Sequence, residues 1–569
     1  MKGKKIVSTL LALLLLANLP VSALAADWDI GSGDITVNAG SGGQTVTQGS
    51  QVDVPDSAPV IKGSSTKNTV TINAEKDQTA SVTLSGANID VSNEVKAAVS
   101  TTGEGNVSIE LDGDSTLKSG FTHAGLEKNN GGSLTIADED KNGKLTVEGG
   151  NYGAGIGGGY NGTGSDITIS GGEVKATGGA YGAGIGGGWV GSGSDITISG
   201  GEVKATGGGY GAGIGGGWRG SGSDITISGG EIKATGGGNG AGIGGGWGGS
   251  GSDIAISGGE VNATGGNYGA GIGGGWGGSG SDLTISGGEV NATGGYAGAG
   301  IGGGCNSAGS DIAISGGEVN ATGGQHGAGI GGGQNGSGNN IAISGGEVKA
   351  TSGENGAGIG GGCFGDGNNI TVSGDAKLKV QGGVEDNTDG AGAGIGNGGS
   401  KADGSPIPGA EVAPDTSDLT TGRIEYYAPG ADMEKDKPTR TTVGASSQPE
   451  KPTDPGAERG ADAPLYRVTD QDGKDIAHKA ERKDGVLTVT VDADFAILTG
   501  KLSSIDTLKR QGIEKIVFVT NKAASTFQAA DLLEKGASSD EYRLTHDGTT
   551  VTFVVSEKKT DVSGILIQP

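Results

Sequence analysis

Eight isoleucines, Ile156, Ile185, Ile214, Ile243, Ile272, Ile301, Ile330 and Ile359, recur every 29 residues, each at the centre of the heptapeptide GAGIGGG. No insertion or deletion interrupts them. A strict period of this length is the mark of an array in which one supersecondary unit stacks on its neighbours, because a single unit cannot bury its own apolar face. A chain that repeats the same residues in every unit builds a surface many times over, whereas a catalytic centre needs one cluster found once.

Within a unit such as Tyr181 to Gly208, apolar residues alternate with period two. Ala183 and Ile185 flank Gly184, Ile196 and Ile198 flank Thr197, and Val203 and Ala205 flank Lys204. This pattern predicts three short strands per unit, joined at Gly187-Gly188, Gly191-Ser192-Gly193 and Gly200-Gly201, where glycine supplies the turn conformations. Units closed in this way and stacked about 4.8 Å apart form parallel sheets, and the crossover rule makes the winding right-handed. The expected fold is all-β: a right-handed parallel β-helix of 29-residue coils with three short strands each, followed by a linker and a small α+β module.

The regular coils occupy 151–400. Before them, 26–150 reads as looser coils and a cap, with strand signals at Val70-Thr71-Ile72, Val82-Thr83-Leu84, Val107-Ser108-Ile109 and Leu134-Thr135-Ile136. Residues 1–25 read as a signal peptide: Lys2, Lys4 and Lys5 precede an apolar run, and Ala23-Leu24-Ala25 offers a cleavage site. The expected location is therefore secreted or extracellular, with any cell-surface association through an unidentified attachment, and without membrane insertion. The formal charge of −26 becomes −29 without those three lysines, which opposes binding to nucleic acid and to anionic membranes. Residues 401–463, rich in Pro and acidic side chains, read as an extended linker. Residues 464–569 read as the α+β module, with strands at Val486–Val491, Ile516–Thr520, Tyr542–Leu544 and Val551–Val555, a hairpin turn at Asp547-Gly548, and helices at Ser504–Gln511 and Thr526–Lys535. Its His478 and His546 read as surface or structural residues. Cys305 and Cys363 share one column two coils apart, too far for a disulfide, so both are expected as free thiols.

The run DGDSTLKSGFTHAGLEKNNGGSLTIADEDKNGKLTVEGGNYGAGIGGG, Asp112 to Gly159, with the repeats that follow it, resembles the GAGIGGG-repeat β-helix surface proteins of Gram-positive bacteria. Their N-terminal region is often labelled a carbohydrate-binding domain. The resemblance spans about Asp27 to Gly399 and implies a β-helix and contact with an extracellular polysaccharide or glycan. It transfers no catalytic residues.

Two sets of columns carry the candidate sites. In the GAGIGGG strand, Ala183 and Ile185 are expected inside and Gly184 and Gly186 outside, which would lay a strip of bare backbone along the rod. Tyr152, Tyr181, Tyr210 and Tyr268 flank that strip on one side, and Tyr160, Trp189, Trp218, Trp247 and Trp276 on the other. Exposed aromatic rows beside a flat floor suit sugar rings, and a polysaccharide crossing several coils gains from multivalency. Packed into corners, the same rings serve only the fold. The second set is acidic: Asp166, Asp195, Asp224, Asp253, Asp282 and Asp311, with Glu173, Glu202, Glu231, Glu260, Glu289, Glu318 and Glu347. Like charges at this spacing repel by roughly 1 kcal/mol per pair in water. Lys175, Lys204, Lys233 and Lys349 offset the charge in four coils, while Asn262, Asn291 and Asn320 stand there in three others. Calcium at Asp253, Glu260, Asp282, Glu289, Asp311 and Glu318 is one solution. The other is that Asp sets a turn and Glu is solvated, which is the reading that Asn340 and Asn369 in the Asp column favour. His326 reads as a variable surface position. The leading expectation is a non-catalytic glycan-binding protein that needs no cofactor. The alternatives are a structural or adhesive spacer, a self-assembling surface protein in which glycine strips meet, or a polysaccharide-degrading β-helix enzyme using Asp112, Asp114 and His123.

Overall fold

The computed structural model describes residues 25–444, 466–561 and 566, apart from 387–388, 403–404, 472–473, 475, 484, 511, 537–539, 548–549 and 556–559. The segment read as a signal peptide lies outside these residues except for Ala25, and so does 445–465. The chain divides into two compact units, 1–448 and 449–569. No helix among the described residues is long and apolar enough to cross a membrane.

The first unit is a parallel β-solenoid. Each regular coil contributes a six-residue strand, a five-residue strand and a two-residue strand, exemplified by Gly164–Ile169, Glu173–Thr177 and Ile185–Gly186. Each pairs in parallel with its counterpart 29 residues on: Ile167 with Ile196, Val174 with Val203, Ile185 with Ile214. Register is pinned because alternate residues are apolar and a one-residue slip would turn them all to solvent. Ile196, Ile198, Val203, Ala205, Ala183 and Ile185 are all fully buried, so identical side chains stack as continuous ladders down one core. The repeat ends where Ile359 pairs with Ile395 rather than with a residue 29 positions later.

The looser N-terminal coils join the same ladders. Ile35, Val70, Val99, Leu126 and Ile156 follow one another in the column of the two-residue strand. Thr79–Asp90 pairs with both Asn106–Asp112 and Asp114–Lys118, merging the other two ladders at this end. An antiparallel meander, Ile35–Gly40, Gly43–Gln48 and Gln51–Pro55, covers part of the first coil. A terminal coil has no neighbour to bury its core, and antiparallel strands stop the stacking.

The expected linker needs correction. Within 401–463, Arg423–Tyr427 forms a further parallel rung on Lys377–Gln381, and Arg440–Val443 closes it in antiparallel fashion. Leu419, Ile424 and Tyr426 enter the solenoid core. The prolines and charges that suggest an extended chain lie in the connections around this rung, and the alternation of Ile424 and Tyr426 is what they obscure.

The second unit is α+β. A five-stranded sheet contains Ala496–Lys501, Glu541–His546 and Val551–Val555, and a four-stranded sheet contains Lys479–Lys483, Val486–Thr490, Lys515–Val519 and Ala524–Gln528. Helices span Leu502–Arg510 and Ala529–Leu533. The helix expected from Thr526 starts later, because Ala524–Gln528 pairs antiparallel with Lys515–Val519 and buries Phe527. In that stretch, pairing against a neighbouring strand prevails over local helix preference.

Candidate functional site

The glycine strip is not on the surface. Every glycine of Gly182 to Gly188 is buried. A Cβ on Gly184 would lie 2.6 Å from the carbonyl oxygen of Gly213 and from the amide nitrogen of Thr206, and one on Gly186 would lie 2.1 Å from Gly215 O. These positions therefore face the next coil and the adjacent strand, not solvent. A strand of two residues is too short for inside–outside alternation to develop, which is why the period-two expectation fails here.

The aromatic columns form a stacked corner. Tyr152, Tyr181 and Tyr210 stack at 5.2 and 5.1 Å between ring centroids. Tyr160 stacks on Trp189 at 4.7 Å, Trp189 on Trp218 at 5.4 Å, and Trp247 on Trp276 at 5.6 Å, with Trp218 tilted against Trp247 at 5.7 Å. The two columns also touch one another, Tyr210 reaching Trp247 and Tyr268 reaching Trp276. Backbone bonds set this geometry: the amides of Trp189 and Trp218 donate to the carbonyls of Tyr152 and Tyr181. Most of the rings are half-buried, and Tyr160 and Tyr268 are exposed. Through the middle of the corner each ring packs against its neighbours, which leaves Trp218 and Trp247 half-buried. Offset stacks and edge contacts of this kind stabilise by about 0.5–1.5 kcal/mol per pair beyond burial.

Beside the tryptophans runs a column of left-handed residues, including Asn161, Val190, Arg219, Asn306, Asn335 and Phe364, with φ of 58° to 63°. A β-branched side chain is strained there. Val190 is 45% exposed, so Val190→Gly removes strain and little packing. It is expected to stabilise the solenoid by about 1 kcal/mol, read as a raised denaturation midpoint.

In the acidic columns, Asp166, Asp195, Asp224, Asp253, Asp282 and Asp311 all have φ of 52° to 54°, and Asn340 and Asn369 adopt the same conformation at 54° and 51°. Asp and Asn are the side-chain-bearing residues that enter this region most readily, so backbone geometry accounts for the column. Among the described residues, no three His, Cys, Asp or Glu converge as metal ligands. The three-asparagine stretch makes an amide ladder. Asn320 donates to Asn291 at 3.0 Å, Asn291 to Asn262 at 3.1 Å, and Asn262 to Glu260 at 3.1 Å.

Residues that break the repeat stand out. His326, expected at the surface, is 8% exposed. Its Nδ1 lies 2.9 Å from Asn355 Oδ1 and its Nε2 2.9 Å from the Tyr296 hydroxyl. The amide of Asn355 donates to the carbonyls of Asp389 and Gly390, which leaves the oxygen to accept from His326. Tyr296 stands one residue ahead of the tyrosine column, an offset visible in the sequence. Cys305 and Cys363 are free and buried, and burial pushes the Cys363 thiol up to about 12. His123 is not paired with Asp112 or Asp114. Asp112 accepts from Ser85 at 2.8 Å, and His123 Nδ1 lies 2.8 Å from Glu127 Oε2.

A family model described as a beta helix repeat matches seven times, at 167–189, 196–218, 225–247, 254–276, 283–305, 312–334 and 341–363. Each match runs from the first core isoleucine or leucine of a coil to the Trp-column position. No curated protein and no solved structure matches the chain.

Proposed function

We propose that this repeat β-helix protein is exported and non-catalytic, and that its solenoid serves as a scaffold or spacer. The observation that supports this reading best is where the repeated residues are spent. Glycines bring coil backbones into contact, aromatic rings lie on one another, and Asp takes a left-handed position within its strand. Each conspicuous column thus answers a demand of stacking, and within the regular array no coil is set apart by a cluster of its own until Tyr296 and His326. A solenoid of this kind gains stability from each nearest-neighbour interface. Removing residues 196–224, one full period, is therefore expected to leave a folded solenoid about 4.8 Å shorter, measured by small-angle scattering and circular dichroism. Collapse of the fold on losing one period would sink the reading.

Glycan contact is the second reading. It is favoured by the exposed rings of Phe121, Tyr160, Tyr268 and Tyr296, which lie toward the ends of the stacked corner and not in its middle.

A further inference from the structure

We infer that the N-terminal end of the aromatic corner is a saccharide-binding site, in which Phe121 and Tyr160 present ring surface and His123 Nε2 bonds the hydroxyls of an uncharged sugar ring. The inference rests on the glycan reading and moves it from the columns to one place.

The site lies where the repeat is first broken. Leu126 pairs with Ile156 and Glu127 with Gly157, so a carboxylate occupies the column that glycine fills in every following coil. Stacking alone does not call for that substitution, since the later coils close without it. The Glu127 side chain is buried, with 9% of it exposed. Its Oε2 accepts from the Ala124 amide at 3.0 Å and lies 2.8 Å from His123 Nδ1, and its Oε1 accepts from Asn129 Nδ2 at 2.8 Å. With Nδ1–H directed at the carboxylate, the ring orientation of His123 is held and Nε2 faces away. Nε2 has no protein partner among the described residues, and the His123 side chain is 28% exposed. Contrast His326, both of whose ring nitrogens are engaged.

Aromatic residues flank the turn that carries this histidine. The Tyr152 amide donates to Phe121 O at 3.0 Å and the Tyr160 amide to Thr122 O at 2.7 Å, bringing these residues to the His123 turn. Phe121 meets Tyr152 edge-on at 4.9 Å, and Tyr152 meets Tyr160 edge-on at 5.4 Å. Phe121 is 55% exposed and Tyr160 47%. Sugar rings offer apolar C–H faces to aromatic rings, and their hydroxyls both donate and accept. A held imidazole nitrogen therefore bonds a hydroxyl whether or not it carries a proton. The Glu127 hydrogen bond holds the His123 pKa above its ordinary value against the opposing effect of burial. The net charge of −26 disfavours a sugar bearing carboxylate or sulfate. Glu127 acts as a positioning residue.

The test is titration of the full chain with cellohexaose, xylohexaose, mannohexaose and galactohexaose, followed by calorimetry and by NMR of the imidazole nitrogens. The sequence has four histidines, so the His123 signals can be assigned. At least one hexaose is expected to bind and to move the His123 Nε2 resonance. Phe121→Ala and Tyr160→Ala are each expected to weaken binding at least tenfold, whereas Trp276→Ala, far along the corner, changes it less than twofold. Both ring residues are exposed, so unchanged circular dichroism is expected, and His123→Gln supplies an independent variant with the same expected loss. Equal losses in Trp276→Ala and Phe121→Ala would place binding on the columns and overturn the end site while sparing the glycan reading. Absence of binding by the unaltered chain would overturn both.

Discussion

Replacing Gly186 with alanine is expected to destabilise the solenoid by about 3–5 kcal/mol. Two effects add. Gly186 has φ of +128°, a region nearly closed to residues with a Cβ, and the added carbon would sit 2.1 Å from the backbone oxygen of Gly215. Backbone cannot move aside as a flexible side chain does, and shifting Gly215 would disturb the next interface in turn. Gly209→Ala is the control: this glycine is exposed, and its added carbon would come no nearer than 3.7 Å to Ala180 O. Denaturant unfolding followed by tryptophan fluorescence should separate the two variants clearly, since all five tryptophans lie in the first unit. Equal stabilities would mean that the glycine column is not held by close approach, and would return it to the surface role that the sequence pattern first suggests.

That test bears on what was legible in the sequence. The 29-residue period and the Ile, Val and Ala alternation were enough for the coil, the three strands and the core, because register and burial follow directly from spacing. The left-handed Asp column was readable from Asn340 and Asn369, which share its conformational tolerance. The facing of the GAGIGGG glycines was not readable. Alternation is a property of an extended strand, and a two-residue strand between turns is governed by how closely the neighbouring coil approaches. The aromatic corner was located correctly as columns, but a column in sequence does not say whether ring faces meet solvent or meet each other. The 4.7–5.7 Å ring spacings along the columns, close to the coil repeat, decide it in favour of mutual contact. Glu127 escaped notice because an extra residue between the Leu126 and Ile156 positions shifts that coil out of the 29-residue frame. Only its alignment beside Gly157 shows that it replaces a glycine.

The second unit should lose about 3 kcal/mol of stability between pH 6.5 and pH 4. His546 is fully buried, with Nε2 2.8 Å from Ser525 Oγ and Nδ1 3.1 Å from Thr520 Oγ1, and its ring lies 4.8 Å from that of Phe518. Thr520 donates to Ala523 O, so its oxygen accepts from Nδ1–H, and Nε2 accepts from Ser525. Burial disfavours the imidazolium and lowers the His546 pKa to about 4. In the unfolded chain the same ring titrates near 6.5. Above pH 6.5 the ring is neutral in both states and the full stability is present. As the pH falls toward 4 the unfolded chain binds a proton that the folded unit refuses, and stability declines until the folded ring is protonated too. Hydrogen exchange of amides within 486–555 in the full chain should show this decline, and His546→Gln should flatten it. A pH response in the His546→Gln chain as steep as in the unaltered one would assign the acid sensitivity to carboxylates, and this buried imidazole would then be no more than a satisfied core residue.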